Sequence, residues 1–265
     1  GDNDRANAVR AIALGAYDFY QKPVEQDVLT LMVDRAYRVH ELERENRRLQ
    51  QSQISSPLDG IIAASPQMLK VCRTIEKVAP SDVTVLLLGA SGTGKERVAQ
   101  ALHERSSRAR QRMVAINCAA IPENLLESEL FGHVKGAFTG AHRDQPGIVR
   151  AADRGTLFLD EVAEVPFDLQ AKLLRVLETR TVIPVGGNDP ISVDVRFVAA
   201  THQSLRRAVE IGRFRADLMY RLRVVPLFLP PLRARAADVG LLAQRFIETL
   251  NEAGGRQVAR VSQPA

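Results

Sequence analysis

The sequence predicts an α/β protein built on a doubly wound parallel sheet, and three stretches predict it. The apolar run from Val83 to Leu88 reads as a strand buried on both faces, the kind found in a parallel sheet. It breaks into Gly89-Ala90-Ser91-Gly92-Thr93-Gly94-Lys95, after which Val98, Ala101 and Leu102 recur at helical spacing. Further apolar runs follow at Thr156–Leu159, ending in Asp160-Glu161, and at Val195–Ala200, with a helical stretch between them. Buried strands alternating with helices imply parallel pairing, with ligands at the carboxyl ends of the strands.

Bulk properties narrow the function classes. At 265 residues the chain has room for one large domain plus a fragment, or for two small domains. An apolar fraction of 45% with 25% charged residues is ordinary for a soluble globular protein. No apolar run approaches the ~20 residues of a membrane helix, and no signal-peptide pattern opens the chain. Its two cysteines, Cys72 and Cys118, make neither a disulfide framework nor a metal quartet, which suits a reducing cytosol. The formal charge is +5, and Arg206, Arg207, Arg213, Arg215, Arg221 and Arg223 face only Glu210 and Asp217 in their interval. Such a cluster fits nucleic acid, a phosphate-handling interface or a solvated face. The scarcity of aromatics there argues against a stacking platform for single strands.

Taken in order, the elements begin with a helical stripe (Val9, Ile12, Ala13), a glycine stop at Gly15 and a short strand from Tyr17 to Tyr20. The string A-L-G-A-Y-D-F-Y-Q-K-P that ends at Pro23 resembles the end of a two-component receiver domain. That resemblance implies that Lys22 is the phosphate-sensing lysine and Phe19 the switch aromatic, with the phosphoacceptor aspartate upstream; an unrelated βα unit is the alternative. From Glu25 to Gln51 no helix breaker occurs. Met32, Val39 and Asn46 share one heptad position and Leu42 and Leu49 the other, a pattern for a short two-stranded coiled coil. Arg35 in the seam leaves a solvated single helix open. Residues 52–57 are polar and turn-forming, hence a boundary. Met68, Val71, Cys72 and Ile75 mark a helix before the first strand. Met113–Asn117 reads as a strand, Leu125–Leu130 as a short helix, Gly132–Ala141 as a loop, Leu169–Leu177 as a helix and Val224–Leu229 as a last strand.

Strand, glycine-rich loop, helix is the context that makes G-x-x-x-x-G-K a phosphate site rather than a tight turn. Glycines let backbone N–H groups close around phosphate oxygens, the helix N-terminus adds partial positive charge, and Lys95 reaches the β- and γ-phosphates. The next residue is Glu96 where a generic phosphate loop has a Mg²⁺-binding hydroxyl, so its carboxylate must point away or act through the metal's waters. Asp160 and Glu161 supply what such a loop needs from a second strand. One carboxylate holds the Mg²⁺ shell and its neighbour polarises the attacking water.

One further string carries a family resemblance. Gly136-Ala137-Phe138-Thr139-Gly140-Ala141, within E-S-E-L-F-G-H-V-K-G-A-F-T-G-A, is the signature of bacterial enhancer-binding proteins. These are AAA+ activators of sigma-54 RNA polymerase, of the nitrogen-regulator type. N-C-A-A, G-T-L-F-L-D-E, V-R-F-V-A-A-T-H, G-R-F-R-A-D-L and L-P-P-L-R belong to the same pattern, which covers the chain from about residue 59 onward. Glu96 is a trait of the family. Ala90, Ala234, Ala236 and Ala237 depart from its usual charged residues.

The resemblance implies ATP and Mg²⁺ as ligands, with Gly89 to Glu96, Asp160, Thr201 and His202 binding the nucleotide. It implies that Asn117 holds Glu161 away from water until the partner engages, and that Arg215 and Arg221 reach a neighbouring subunit's ATP. It implies that Gly136 to Ala141 grip sigma-54; read alone, Phe138 would be a core residue. Homo-oligomers from dimer to hexameric ring, a cognate sensor histidine kinase and enhancer DNA complete the implied partners. The DNA is reached through a domain outside this sequence, and no membrane is involved. The expected organisation is a receiver end at 1–35, a linker at 36–58, the ATPase subdomain at 59–240 and the start of a helical lid at 241–265. The lid's second sensor arginine would lie past Ala265. A nucleotide-gated dimerisation module without turnover, or another AAA+ ATPase that remodels DNA, remains the alternative.

Overall fold

The computed structural model describes Thr30, Val33, Tyr37, Arg38, Glu41, Leu58, residues 60–254 and Val258. The chain divides into two compact units, Gly1–Ser55 and Ser56–Ala265. In the first, Thr30, Val33, Tyr37, Arg38 and Glu41 are helical and exposed. The expectations for Phe19, Lys22 and the heptad seam at Met32, Arg35, Val39, Leu42, Asn46 and Leu49 lie outside the described residues.

The second unit is organised by a five-stranded sheet of order β2-β5-β8-β1-β9, all parallel. Its strands are β1 (Val85–Leu88), β2 (Met113–Asn117), β5 (Thr156–Asp160), β8 (Arg196–Thr201) and β9 (Val225–Phe228). Because side chains alternate across a strand, each strand feeds two cores. Leu86, Leu157, Leu159, Phe197 and Ala199 face one of them. Val85, Leu87, Phe158, Val198 and Ala200 face the other. Fully burying such a side chain stabilises by roughly 1.5–3 kcal/mol, so two-sided burial explains why these strands read as continuous apolar runs.

Helices cover both faces. On the second core lie α1 (Pro66–Val78) and α2 (Lys95–Glu104), through Met68, Val71, Cys72 and Ile75 and through Val98, Ala101 and Leu102. Ser65 caps α1 by accepting from the Met68 N–H, and Pro66 sits in the first turn, where its missing donor is harmless. On the first core lie α3 (Glu123–Phe131), α5 (Phe167–Thr179), α6 (Leu205–Glu210) and α7 (Ala216–Leu222); the single turn α4 (Ile148–Ala151) adds Val149. A last helix, α8 (Ala236–Glu252), buries only Asp238. That carboxylate accepts from the Ala64 and Ser65 N–H groups at 2.7 Å each and from the Ser65 hydroxyl at 2.9 Å.

One strand position breaks the apolar pattern for a structural reason. Arg196, 1% exposed, donates to the Ala79 and Val78 carbonyls at the end of α1 and to Leu102 in α2. A guanidinium there complements the negative ends of two helices. The region predicted as a plain loop after Phe131 begins instead with β3 (Gly132–His133), paired antiparallel with β4 (Gln145–Pro146). Two residues are too short to leave a periodic signal. A second two-stranded ribbon, β6 (Thr181–Val182) with β7 (Ile191–Ser192), carries the neighbouring loop.

Candidate active site

The carboxyl ends of β1, β5 and β8 bring the phosphate loop, the acidic pair and the Thr201-His202 pair together. Register does this directly: Leu88 lies opposite Thr201, and Asn117 opposite Asp160. The Gly89 N–H donates to the Thr201 carbonyl at 3.4 Å. A Cβ at Gly89 would come within 2.8 Å of Thr93 Oγ1 and 3.1 Å of Leu229 Cβ, so glycine is needed for the close approach. Gly94, the N-cap of α2, has φ +95 and open space around it; there backbone conformation selects glycine.

Lys95 is buried, with Nζ 3.2 Å from the Gly89 carbonyl and 3.5 Å from Glu161 Oε1. Glu161 follows β5 in a left-handed conformation, φ 50 and ψ 49, a strain of about 1–3 kcal/mol for a residue with a side chain. From that kink its carboxylate reaches β8. Oε2 lies 2.7 Å from His202 Nδ1 and accepts from the His202 N–H at 3.2 Å. Burial pushes the Glu161 carboxyl up, but the His202 hydrogen bonds and the Lys95 charge outweigh it and hold the group below its ordinary value. Asp160 goes the other way. Burial raises it, and the Glu161 charge adds to the rise, against the Glu161 N–H that donates to its Oδ1 at 3.0 Å.

That pair of opposite shifts gives a test. A carboxyl whose pKa is raised on folding stabilises most when protonated, and the contribution is lost as pH rises through the folded value. Folding therefore disfavours the charged form of Asp160 in the nucleotide-free protein. Asp160→Asn, which keeps the acceptor for the Glu161 N–H, is expected to raise the melting temperature at pH 7, with the gain vanishing toward pH 3–4. Calorimetry of the nucleotide-free protein checks it; a lower melting temperature at pH 7 contradicts it.

The residues fit a nucleotide and its metal. Gly92 and Gly94 turn the loop at positive φ, Lys95 is within reach of it, and Asp160 is a half-buried carboxyl at the end of β5. Among the described residues no group of three or more His, Cys, Asp or Glu side chains could hold a metal alone. A Mg²⁺ here would therefore depend on phosphate oxygens, as that ion commonly does. Glu96 is exposed on the first turn of α2. Thr201 is fully buried, its hydroxyl accepting from the Gln203 N–H at 3.0 Å.

Three expected residues stand apart from Glu161. The hydrogen bond of Asn117 runs elsewhere, its Oδ1 accepting from the Ala119 N–H at 2.9 Å, while Glu161 is held by His202. Thr201 ends β8, and His202 follows it in contact with Glu161. Arg215 pairs with Asp217 through both carboxylate oxygens, at 3.1 and 2.8 Å. Arg221 donates to the Leu177 carbonyl at 3.3 Å. Neither arginine has a bond to Lys95, Asp160 or Glu161 of its own chain. Gln170, absent from the sequence reading, sets the turn that carries Arg215. It is fully buried, accepts from the Arg215 N–H at 2.8 Å and donates to the Val165 and Arg213 carbonyls. A polar residue inside the apolar stripe of α5 was its only signal.

The Gly136–Ala141 loop is closed on itself. The Gly136 N–H donates to the Ala141 carbonyl at 2.8 Å and the Ala141 N–H to the Phe138 carbonyl at 3.0 Å. Phe138 is 43% exposed, so it is not the core residue that its type alone suggests. Its ring meets His133 edge-on at 4.9 Å. His133 is buried, with Nδ1 2.7 Å from Ser128 Oγ. Ala141 is 5% exposed and braces the base of the loop. Gly186 of the neighbouring loop approaches so closely that a Cβ would lie 2.7 Å from the Ala137 Cβ.

Comparison with known proteins agrees with this geometry. The family described as Sigma-54 interaction domain matches residues 61–228. The regulatory protein AtoC of Escherichia coli K12 is 46% identical over 252 residues, 95% of this chain and 55% of that protein. The DNA-binding transcriptional regulator NtrC of Salmonella typhimurium is 46% identical over 93% of this chain and 52% of its own length. The crystal structure of NtrX from Brucella abortus in complex with ATP superposes with a TM-score of 0.69 at 39% identity, covering 94% of this chain and 52% of that one. The chain spans about half the length of the curated relatives it matches.

Proposed function

The chain belongs to the family of sigma-54 interaction domains, and on that premise we propose that it is the ATP-hydrolysing module of a sigma-54-dependent transcriptional activator of the two-component type. The observation that carries this reading is the convergence of Lys95, Asp160, Glu161 and His202 on the glycine loop, with Phe138 exposed on a separate loop of the same unit. The ATP-bound NtrX structure supports the choice of nucleotide.

In the mechanism, backbone N–H groups of residues 89–95 bind the β- and γ-phosphates and Lys95 neutralises them. Asp160 would hold Mg²⁺ together with the phosphates, and that ion would supply charge neutralisation across them. Glu161, released from His202 and Lys95, orients and polarises the water for in-line attack on the γ-phosphorus, yielding ADP and phosphate. Arg215 and Arg221 serve the neighbouring subunit's site in a ring. The nucleotide state then moves the Phe138 loop against sigma-54 in the polymerase closed complex. A receiver domain and its sensor kinase upstream, and a DNA-binding domain downstream, belong to the same proposal, as do the domain limits at residues 35, 58 and 240.

Turnover per subunit should rise with protein concentration as subunits assemble, and an ATPase titration measures this. The resting capture of Glu161 by His202 and Lys95 favours a second reading, a nucleotide-gated assembly module without turnover. Zero turnover at every concentration, with nucleotide still bound, would select it. For the partner, Phe138→Ala should weaken sigma-54 capture in the presence of an ADP–metal-fluoride mimic. Loss of a buried aromatic anchor costs about 2 kcal/mol or more, roughly 30-fold in affinity. ATPase activity should stay within a factor of two or so, since the loop touches no catalytic residue. Undiminished capture by the variant contradicts the role given to this loop.

A further inference from the structure

Arg235 stands at the root of α8, immediately before Ala236, and is 8% exposed. One terminal nitrogen donates to the Thr93 carbonyl of the phosphate loop at 3.1 Å. Its Nε is buried with no partner. Among the described residues no carboxylate forms an ion pair with it. The nearest acidic residue in sequence, Asp238, spends both oxygens on Ala64 and Ser65. Burying a cation without a counter-charge is strongly unfavourable, so a guanidinium held this way calls for an anion that completes it.

Peptide geometry says how the anion is served. The carbonyl that Arg235 holds belongs to the Thr93–Gly94 peptide, whose C=O and N–H point in opposite directions across a planar trans unit. Fixing the Thr93 oxygen on the guanidinium therefore directs the Gly94 N–H to the other side of the loop. A cation on the carbonyl also polarises the peptide and strengthens that N–H as a donor to an anion. Thr93 is locked from a second direction, its hydroxyl donating to the Ala90 carbonyl at 2.8 Å. Asp238 in turn anchors the first turn of α8 to the segment before α1, which fixes where Arg235 can sit.

We propose that Arg235 is a positioning residue for the nucleotide: it orients and polarises the Thr93–Gly94 peptide and places a buried positive charge behind the phosphate loop. The negative charge it lacks is that of the bound polyphosphate. This rests on the nucleotide-binding reading given above and adds a cationic contribution from the same chain, beyond Lys95 and the neighbour's arginines.

The test is the affinity of the 265-residue chain for a fluorescent ADP, measured for wild type, Arg235→Met and Arg235→Lys, with ligand-free melting temperatures. Loss of a charge-assisted hydrogen bond predicts about tenfold weaker binding for Arg235→Met. Arg235→Lys should recover most of it, and the ligand-free melting temperature of Arg235→Met should not fall below that of wild type. Equal affinity for wild type and Arg235→Met overturns the inference while leaving nucleotide binding intact. Equal losses in the Met and Lys variants, with lower ligand-free melting temperatures, reduce Arg235 to packing and also overturn it. If the wild type binds no ADP, the functional reading falls and this inference with it. Should Arg235→Met not fold, Arg235→Lys against Arg235→Gln carries the comparison: tighter binding by the lysine supports the role, and equality removes it.

Discussion

Arg215→Ala is expected to lower ATP turnover by the assembled protein about 10³-fold or more, with ADP affinity of the isolated chain unchanged. An arginine that neutralises charge on the transferring phosphoryl is worth that much because its interaction strengthens only as the transition state forms. Arg215 lies in a bidentate pair with Asp217, on a turn fixed by Gln170, and among the described residues no hydrogen bond or ion pair joins it to the phosphate loop. On the proposed function it acts on a neighbour's nucleotide. The pair with Asp217 is partly exposed and screened by solvent, so little opposes breaking it on assembly. A mixing experiment separates action across the interface from action within the subunit. Combining Arg215→Ala with Glu161→Gln chains places an intact arginine against an intact glutamate at roughly a quarter of randomly formed head-to-tail interfaces. Turnover should reappear on mixing two inactive proteins. Continued inactivity of a mixture shown to assemble counts against a role in trans.

Glu161→Gln should remove about 10²–10⁴ of the hydrolysis rate and leave nucleotide binding in place. The amide keeps the volume and an acceptor for the His202 N–H but cannot polarise water. Its effect on stability is opposite in sign to that of Asp160→Asn. Glu161 is held below its ordinary value in the folded chain, so its contribution is full above the unfolded value, near 4.3–4.5, and is lost as pH falls through the depressed folded one. The glutamine variant should melt lower than wild type at pH 7 and converge on it in acid. Between pH 6 and 8 Glu161 is fully ionised, so wild-type turnover in that window does not follow its titration. Unimpaired hydrolysis by the variant would remove Glu161 from the chemistry.

Much of the fold was legible because its cause is local. Two-sided burial made Val83–Leu88, Thr156–Leu159 and, Arg196 apart, Val195–Ala200 largely apolar runs, and the structure places β1, β5 and β8 there to within two residues at each end. The helix marked by Met68, Val71, Cys72 and Ile75 came from one buried stripe, and all four residues are in the core. The two-residue strands β3 and β4 left no comparable trace, so the antiparallel base of the Gly136–Ala141 loop was invisible. His133 and Gly186, which brace Phe138 and Ala137, were missed for the same reason.

The sequence by itself determined the alternation of strand and helix, the glycine loop with its lysine, and the acidic pair at a strand end. These depend on neighbours within a few residues and on backbone conformations that particular side chains permit. Only the tertiary structure decided who holds whom. His202 captures Glu161 from 41 residues away, Gln170 holds Arg215 from 45, and Arg235 reaches Thr93 from 142. Such pairs are made by strand order and helix docking, which bring together positions whose spacing along the chain carries no periodic signal.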